Sequence, residues 1–311
     1  MEESKQLPLL SLIVPVLNEE ESIGPFLDAI QLKLAGLPAD LEILFIDDGS
    51  TDGTITEIER AAAYDNSIRY LKLSRNFGKE AAMTAGLDHA KGDAVVPIDV
   101  DLQDPPELIH EFVRLWQEGY DTVYGMRASR EEDGRRKRAS AGLFYRVFNH
   151  LSHTYIPPNA GDYRLISRRV VDVIRQMPER NRFMKGMFAW PGYPSTGVEY
   201  DRPARFAGET KWNYWKLWNF ALDGLTSFST WPLRIWSYIG GVIALLSLIY
   251  MVGIIIHTVI AGVEWPGYAS IMSAVLFFGS IQLISIGVLG EYIGRLYVES
   301  KQRPIYMVDK D

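Results

Sequence analysis

Two runs near the C-terminus limit what this chain can fold into more than any other feature. No Asp, Glu, Lys or Arg occurs from Ile235 to Val263 or from Trp265 to Gly290. Each run exceeds the ~20 apolar residues that carry a helix across a bilayer. The connection Ala261-Gly262-Val263-Glu264-Trp265-Pro266-Gly267 is short, so the two predicted helices form a hairpin. A hairpin buried in a soluble core is the alternative. Arg234 flanks the start and Arg295, Lys301 and Arg303 the exit, while the connection holds only Glu264, so the positive-inside rule predicts cytoplasmic sides for both ends. The expected organisation is a cytoplasmic head over residues 1–211, interfacial helices over 212–233, two transmembrane helices over 234–296 and a cytoplasmic tail over 297–311.

Composition narrows the rest. The chain of 311 residues has no cysteine, which excludes disulfides and thiolate metal sites. Met1 to Lys5 is polar and runs straight into a strand-like segment, so no secretory signal peptide is expected. The net charge of −7 hides an asymmetry: residues 1–126 carry 9 Lys and Arg against 24 Asp and Glu, and the remainder 23 against 15. A basic second part suits anionic groups such as phosphates or lipid headgroups.

Apolar runs at 9–16, 41–46, 68–73, 94–98 and 121–125 read as strands, and the segments between them as helices. This alternation predicts an α/β fold with a mostly parallel, Rossmann-like sheet covered on both faces. Ligands of such sheets bind beyond the carboxyl ends of the strands. Asn18-Glu19, Asp47-Asp48, Arg75-Asn76 and Asp99-Asp101 all fall at those ends and are expected to converge.

The run Ala94-Val95-Val96-Pro97-Ile98 ends in Asp99-Val100-Asp101-Leu102-Gln103-Asp104-Pro105-Pro106. On an extended backbone, alternation puts Asp99 and Asp101 on one side. Two neighbouring carboxylates favour a hard divalent cation, and Mg²⁺ usually keeps substrate phosphates in its remaining positions. For this motif alone a solvated strand end is the alternative. Asp104 is expected to cap a helix that begins with Pro105 and Pro106. No Gly-x-Gly-x-x-Gly follows the first strand and no Gly-Lys-Ser/Thr loop occurs, so neither a dinucleotide fold nor a P-loop is supported. Acidic strand ends suit a nucleotide whose ribose and base need acceptors, with its pyrophosphate neutralised by metal. Asp47-Asp48-Gly49 also reads as a plain turn, but two adjacent carboxylates exceed what a turn needs; Asp52 reads as a helix cap.

Val14-Pro15-Val16-Leu17-Asn18-Glu19, Asp47-Asp48-Gly49-Ser50-Thr51-Asp52, Ser74-Arg75-Asn76-Phe77-Gly78-Lys79 and the Asp99–Pro106 motif together resemble the family 2 glycosyltransferases of GT-A fold. Within that family the chain resembles the polyprenyl-phosphate glycosyltransferases, among them dolichol-phosphate mannose synthases and the bactoprenol glucosyltransferases of O-antigen (lipopolysaccharide) modification. The resemblance covers nearly the whole chain. It implies a multi-pass enzyme of the inner (cytoplasmic) membrane that transfers a hexose, with inversion, from a nucleotide-diphosphate sugar to polyprenyl (undecaprenyl) phosphate. The implied donor site is Pro15, Asn18, Glu19, Asp47, Asp48, Lys79, Asp99, Asp101 and Gln103, with Mg²⁺ or Mn²⁺ held by Asp99, Asp101 and Gln103.

Asp162 is the implied catalytic base beside Asp101, although a phosphate monoester, with a second pKa near ~6, needs little help losing a proton. Asp162 then positions a sugar hydroxyl, orients an arginine, or simply caps a helix. Arg127, Arg146, Arg205 and Lys211 are the candidates for the acceptor phosphate, with a solvated charged loop and unspecific headgroup attraction as the alternatives. The density of Trp, Tyr and Phe between Trp212 and Trp231 suits the headgroup zone. Glu291 is expected to pair with a nearby arginine. The segments 181–190 and 211–223 look most like the bactoprenol glucosyltransferases, so UDP-glucose leads, with GDP-mannose or a UDP-aminopentose as alternatives. No Gln-x-x-Arg-Trp sequence occurs, which disfavours a processive synthase. A non-catalytic membrane scaffold or nucleotide-sugar sensor is the alternative of another class; the intact Asp-x-Asp speaks against it. No nucleic acid is expected as a partner. Gly240-Gly241 and the aromatic stretch permit a homo-oligomer without requiring one.

Overall fold

The computed structural model describes residues 7–127, 157, 160–201 and 267–309, together with positions 238–240, 242–243, 245–246, 249–250, 252–253, 256–257 and 259–260. The elements in order are β1 (Leu9–Val16), α1 (Glu20–Lys33), β2 (Asp40–Asp47), α2 (Thr54–Tyr64), β3 (Ile68–Lys72), α3 (Lys79–His89), β4 (Ala94–Pro97), α4 (Leu108–Gln117), β5 (Thr122–Arg127), β6 (Ala160–Ser167), α5 (Arg168–Gln176), α6 (Met184–Ala189), β7 (Ser195–Tyr200) and α7 (Tyr268–Ser300). The strands form one seven-stranded sheet in the order β3-β2-β1-β4-β6-β5-β7. It is parallel at β1–β2, β1–β4, β2–β3 and β5–β7, and antiparallel only where β6 lies between β4 and β5. The expected α/β architecture with a mostly parallel sheet is what the chain adopts.

The central strand shows why both faces are covered. Leu10, Leu12, Val14 and Val16 of β1 pack with Ile23 and Phe26 of α1 and Phe112 of α4, while Ile13 faces the other way toward Ala82 and Met83 of α3 and Val170 of α5. A strand buried on both sides has no polar face to show, hence its continuous apolar sequence. Helix α3 lies close because it is built of small residues: a Cβ on Gly86 would fall 1.9 Å from the Cγ2 atom of Ile13.

One carboxylate is buried under this sheet. Glu42 on β2 is 5% exposed and accepts bonds from the Ser11 hydroxyl, the Lys91 amide at 2.9 Å and the Arg69 guanidinium. Burial acts to raise the Glu42 pKa, and the bonds from Ser11, Lys91 and Arg69 more than reverse that, leaving it below its ordinary value. Because the folded value lies below the unfolded one, this contribution is complete above the ordinary glutamate pKa of ~4.3 and is lost as the pH falls through the folded value. Glu42→Ala is expected to cost about 1–3 kcal/mol by stranding buried donors, read as a lower urea midpoint of the full-length protein in detergent. Its stability is expected to depend less on pH below that point than the wild type's.

The chain after β7 gives a result that strand counting did not foresee. Val308 forms an antiparallel bridge with Leu73, where the Ser74 amide donates to the Met307 carbonyl (2.9 Å) and the Asp309 amide to the Lys72 carbonyl (2.7 Å). Tyr306 donates its hydroxyl to Asp88 of α3 at 2.9 Å. The last turn of α7 is joined to the head as well, since Glu299 Oε1 accepts the Arg180 and Asn181 amides at 2.8 and 3.1 Å. Residues 306–309 of the expected tail therefore close back onto the head.

Among the described residues one helical segment, Phe277–Ser300, is long and apolar enough to cross a membrane, and none of it is buried. The described positions between 238 and 260 are helical. The connection at 261–266, Arg234 and the interfacial segment 212–233 lie outside the described residues. Glu291 pairs with Arg295 at 2.8 Å, as expected.

Candidate active site

The strand-end loops are fastened to one another by their own polar side chains. Asn18, in the left-handed region at φ 54°, accepts the Thr51 amide at 2.8 Å, and the Ser50 hydroxyl accepts the Asn18 amide at 2.9 Å. The Glu19 carboxylate takes the Ser22 hydroxyl at 3.0 Å. Asp47, fully buried, closes its turn on the Ser50 amide at 3.1 Å. Asp48, 4% exposed, reaches across to the next loop and accepts the Phe77 amide at 2.7 Å and the Gly78 amide at 2.9 Å. Burial raises the Asp48 pKa against the pull of these two amides. The two loops touch at Gly49: at φ +78°, a Cβ there would fall 2.7 Å from the Arg75 carbonyl carbon and the Asn76 nitrogen. Asp52 bonds the Thr54 amide at 3.0 Å and so does serve the start of α2.

This clamp delivers Lys79, the first residue of α3, to a pocket at the ends of β1 and β4. Pro15, Asp99, Asp104, Asp162, Tyr163 and Lys185 line it with Lys79. Lys79 Nζ donates to both Asp99 oxygens, at 2.6 and 2.8 Å. Burial acts to lower the Lys79 pKa, and the Asp99 and Asp162 carboxylates more than reverse it, so the ammonium stays charged. Among the expected site residues, Pro15, Lys79, Asp99 and Asp162 meet here, while Asn18, Glu19, Asp47 and Asp48 are engaged in fixing the loops.

Two sequence expectations need correction, and one alternative falls away. The strand β4 stops at Pro97, and Asp99 to Asp101 lie on a turn with Leu102 at φ 54°. Strand alternation is therefore not what relates the two carboxylates. Asp104 caps no helix: α4 begins at Leu108, after turns closed by the Pro105 and Pro106 carbonyls. The buried Asp104 carboxylate takes the Tyr200 hydroxyl of β7 at 2.8 Å. Asp162 lies within β6 rather than before a helix, and α5 is capped by Ser167.

Asp101 Oδ1 accepts the Gln103 amide at 3.1 Å. The Gln103 Oε1 atom is buried and meets no hydrogen-bond donor among the described residues. No group of three or more His, Cys, Asp or Glu among the described residues could hold a metal by itself. Oxygen donors from one turn, with a buried amide oxygen lacking a donor, nevertheless fit a hard cation that fills its other positions with phosphate and water. Arg127 ends β5, and its side chain lies outside the described residues, as do Arg146, Arg205 and Lys211.

Sequence reasoning missed Lys185 and Glu80. Glu80 follows Lys79 and accepts the Met184 amide at 3.0 Å, across 104 residues of sequence. A lysine inside the apolar stretch Phe183–Ala189 was the available signal. Its meaning depends on how α6 sits against α3.

The sheet order, its antiparallel β6 insertion and the acidic turn after β4 define a GT-A-like fold. Residues 11–175 match the sequence model for glycosyl transferase family 2, and residues 231–296 match that of the GtrB C-terminal hairpin. An uncharacterised glycosyltransferase of Synechocystis sp. is 52% identical over 299 residues, covering 96% of this chain and 94% of that protein. The bactoprenol glucosyl transferase of Shigella phage SfV is 51% identical over 302 residues, covering 97% and 98%. The solved mannosyl-3-phosphoglycerate synthase from Rubrobacter xylanophilus aligns with a TM-score of 0.48 at 20% identity, over 70% of this chain and 71% of that one. The chain belongs to glycosyl transferase family 2, in the group of the bactoprenol glucosyl transferases, and is a glycosyltransferase.

Proposed function

We propose that the protein transfers a hexose, glucose from UDP-glucose foremost, to polyprenyl (undecaprenyl) phosphate on the cytoplasmic face of the inner membrane. The observation that carries this reading is the pocket, where Lys79 and Lys185 meet Asp99, Asp104 and Asp162 beyond the strand ends of a family 2 domain. The acceptor and the sugar are supported by the bactoprenol glucosyl transferases to which the chain is similar. A phosphate oxygen of the acceptor attacks the anomeric carbon from the face opposite the diphosphate. The bond from that carbon to the diphosphate breaks, and the product is inverted.

Each residue has a defined part. Lys79, held by Asp99, presents its ammonium to the donor diphosphate. Asp162 faces the reacting centre from β6 and orients a sugar hydroxyl, because the acceptor phosphate is already largely a dianion at neutral pH, with its second pKa near ~6. Asp101, with Gln103 and the lone pairs of Asp99 beyond its Lys79 bonds, would hold Mg²⁺ or Mn²⁺. Such a cation supplies charge neutralisation for the departing diphosphate. Arg127, Arg146, Arg205 and Lys211 are the proposed contacts for the acceptor phosphate.

Membrane attachment is supported by the apolar segment Phe277–Ser300 and by the matching hairpin family. A two-span topology is supported by the tail: the end of α7 and residues 306–309 are bonded to the head that precedes the hairpin. A chain that leaves its head and returns to it crosses a bilayer an even number of times.

The test uses purified full-length protein with polyprenyl phosphate, Mg²⁺ and a panel of radiolabelled nucleotide sugars, counting label in the lipid phase. Label from UDP-glucose alone is expected. Label from GDP-mannose or a UDP-aminopentose would keep the reaction and correct the donor. No lipid label with any sugar, despite nucleotide binding, would overturn the reading in favour of a sensor or scaffold.

A further inference from the structure

We propose that Lys185 is a phosphate-binding residue of the pocket and that Glu80 is the residue that positions it. The inference rests on the transferase reading for its substrates and goes beyond it in assigning two residues. Helix α6 is short and otherwise packed: Met184, Gly186, Met187 and Phe188 are buried, and Lys185 is the one charged residue on it. Lys185 is half-buried and lines the pocket together with Lys79.

The position of this lysine is set from two directions. No side chain caps α6 locally; the Glu80 carboxylate of α3 takes the Met184 amide instead, at 3.0 Å. From β6, the Arg164 guanidinium lies 4.6 Å from the Phe188 ring centroid. Helix α6 is thus fastened to the two elements that carry Lys79 and Asp162. Three pocket carboxylates, Asp99, Asp104 and Asp162, face two ammonium groups. Loss of Lys185 would leave Lys79 alone against them, and such a wall repels phosphate. The groups acting on Glu80 are Asp162 from β6, Lys79 beside it on α3, and Lys185 with the Met184 amide from α6. Burial first and the Asp162 charge second push the Glu80 carboxyl up to about 7, against the pull of that amide and the two lysines. Its hold on α6 therefore weakens as the pH falls through neutrality.

The experiment measures kcat and both KM values for full-length wild type, Lys185→Ala, Lys185→Arg and Glu80→Gln across pH 6 to 8. Calorimetric binding of uridine diphosphate and of polyprenyl phosphate in micelles is measured alongside, together with thermal unfolding. Lys185→Ala is expected to raise one KM, and the matching dissociation constant, tenfold or more with a smaller change in kcat and an unaltered unfolding midpoint. Lys185→Arg is expected to recover most of that loss. A rise confined to the nucleotide sugar identifies the donor diphosphate as the anion; a rise confined to polyprenyl phosphate identifies the acceptor. Glu80→Gln is expected to raise the same KM severalfold and to flatten its pH dependence near 7. Unchanged affinities for both probes in Lys185→Ala would overturn the assignment of Lys185, and an unchanged pH profile in Glu80→Gln that of Glu80. Failure of wild type to label lipid, with uridine diphosphate binding still weakened by Lys185→Ala, would sink the transferase reading and leave this one standing.

Discussion

Asp101→Ala is expected to lower the turnover of the full-length enzyme by on the order of a hundredfold or more, as losses of aimed electrostatic stabilisation do. Asp101 sits on the turn after β4, half-buried, with one oxygen on the Gln103 amide. Its removal strips a carboxylate from the proposed metal position and leaves Asp99 and Gln103 Oε1 as the remaining oxygen donors on that turn. The turn is also held by the bonds of its neighbours, Lys79 to Asp99 and Tyr200 to Asp104. The loss should therefore appear in kcat with saturating substrates, while the thermal midpoint in detergent stays near wild type. Asp101→Asn, which keeps an oxygen and loses the charge, should fall between the two. Undiminished kcat in Asp101→Ala would take Asp101 out of the chemistry.

Asp48→Ala should have its largest effect on the fold, and through it on activity. The Asp48 carboxylate links the end of β2 to the Phe77 and Gly78 amides, at 2.7 and 2.9 Å. Stranding two half-buried amides is expected to cost about 1–3 kcal/mol. The same change frees the loop that delivers Lys79, so turnover should fall with stability. Asp48→Asn keeps one acceptor oxygen and should lose about half as much stability. Circular dichroism melts of both variants, run beside the lipid-labelling assay, check the pair of effects. Full stability with lost nucleotide binding would make Asp48 a ligand to the donor rather than a clamp.

Much of this was legible in the sequence because each strand of the first half is a short apolar run cut off by polar residues. The place of Asp99 at the site followed from the rule that parallel sheets bind ligands beyond their carboxyl ends, and those of Pro15 and Lys79 from the family resemblance. The local details were not legible. Asp99 and Asp101 looked like alternating strand residues because the run continues through Ile98, yet pairing with β1 ends at Pro97. Asp104 carried a cap signature, but its partner, Tyr200, comes 96 residues later on β7. Such pairings depend on β6 entering the sheet antiparallel between β4 and β5, a long-range choice that no local pattern announces. Glu80 and Lys185 escaped for the same reason.

The return of residues 306–309 to β3 bears on how the protein behaves in a crowded membrane. Strand β3 is the last in its sheet, and its outer backbone groups would otherwise stand ready to pair with any extended chain. Val308 and its neighbours close the end of that strand beside Leu73, so residues 306–309 shield that end of the edge. A shortened C-terminus would expose a sticky rim next to the loop leading to Lys79, and aggregation, rather than lost chemistry, would be the first symptom.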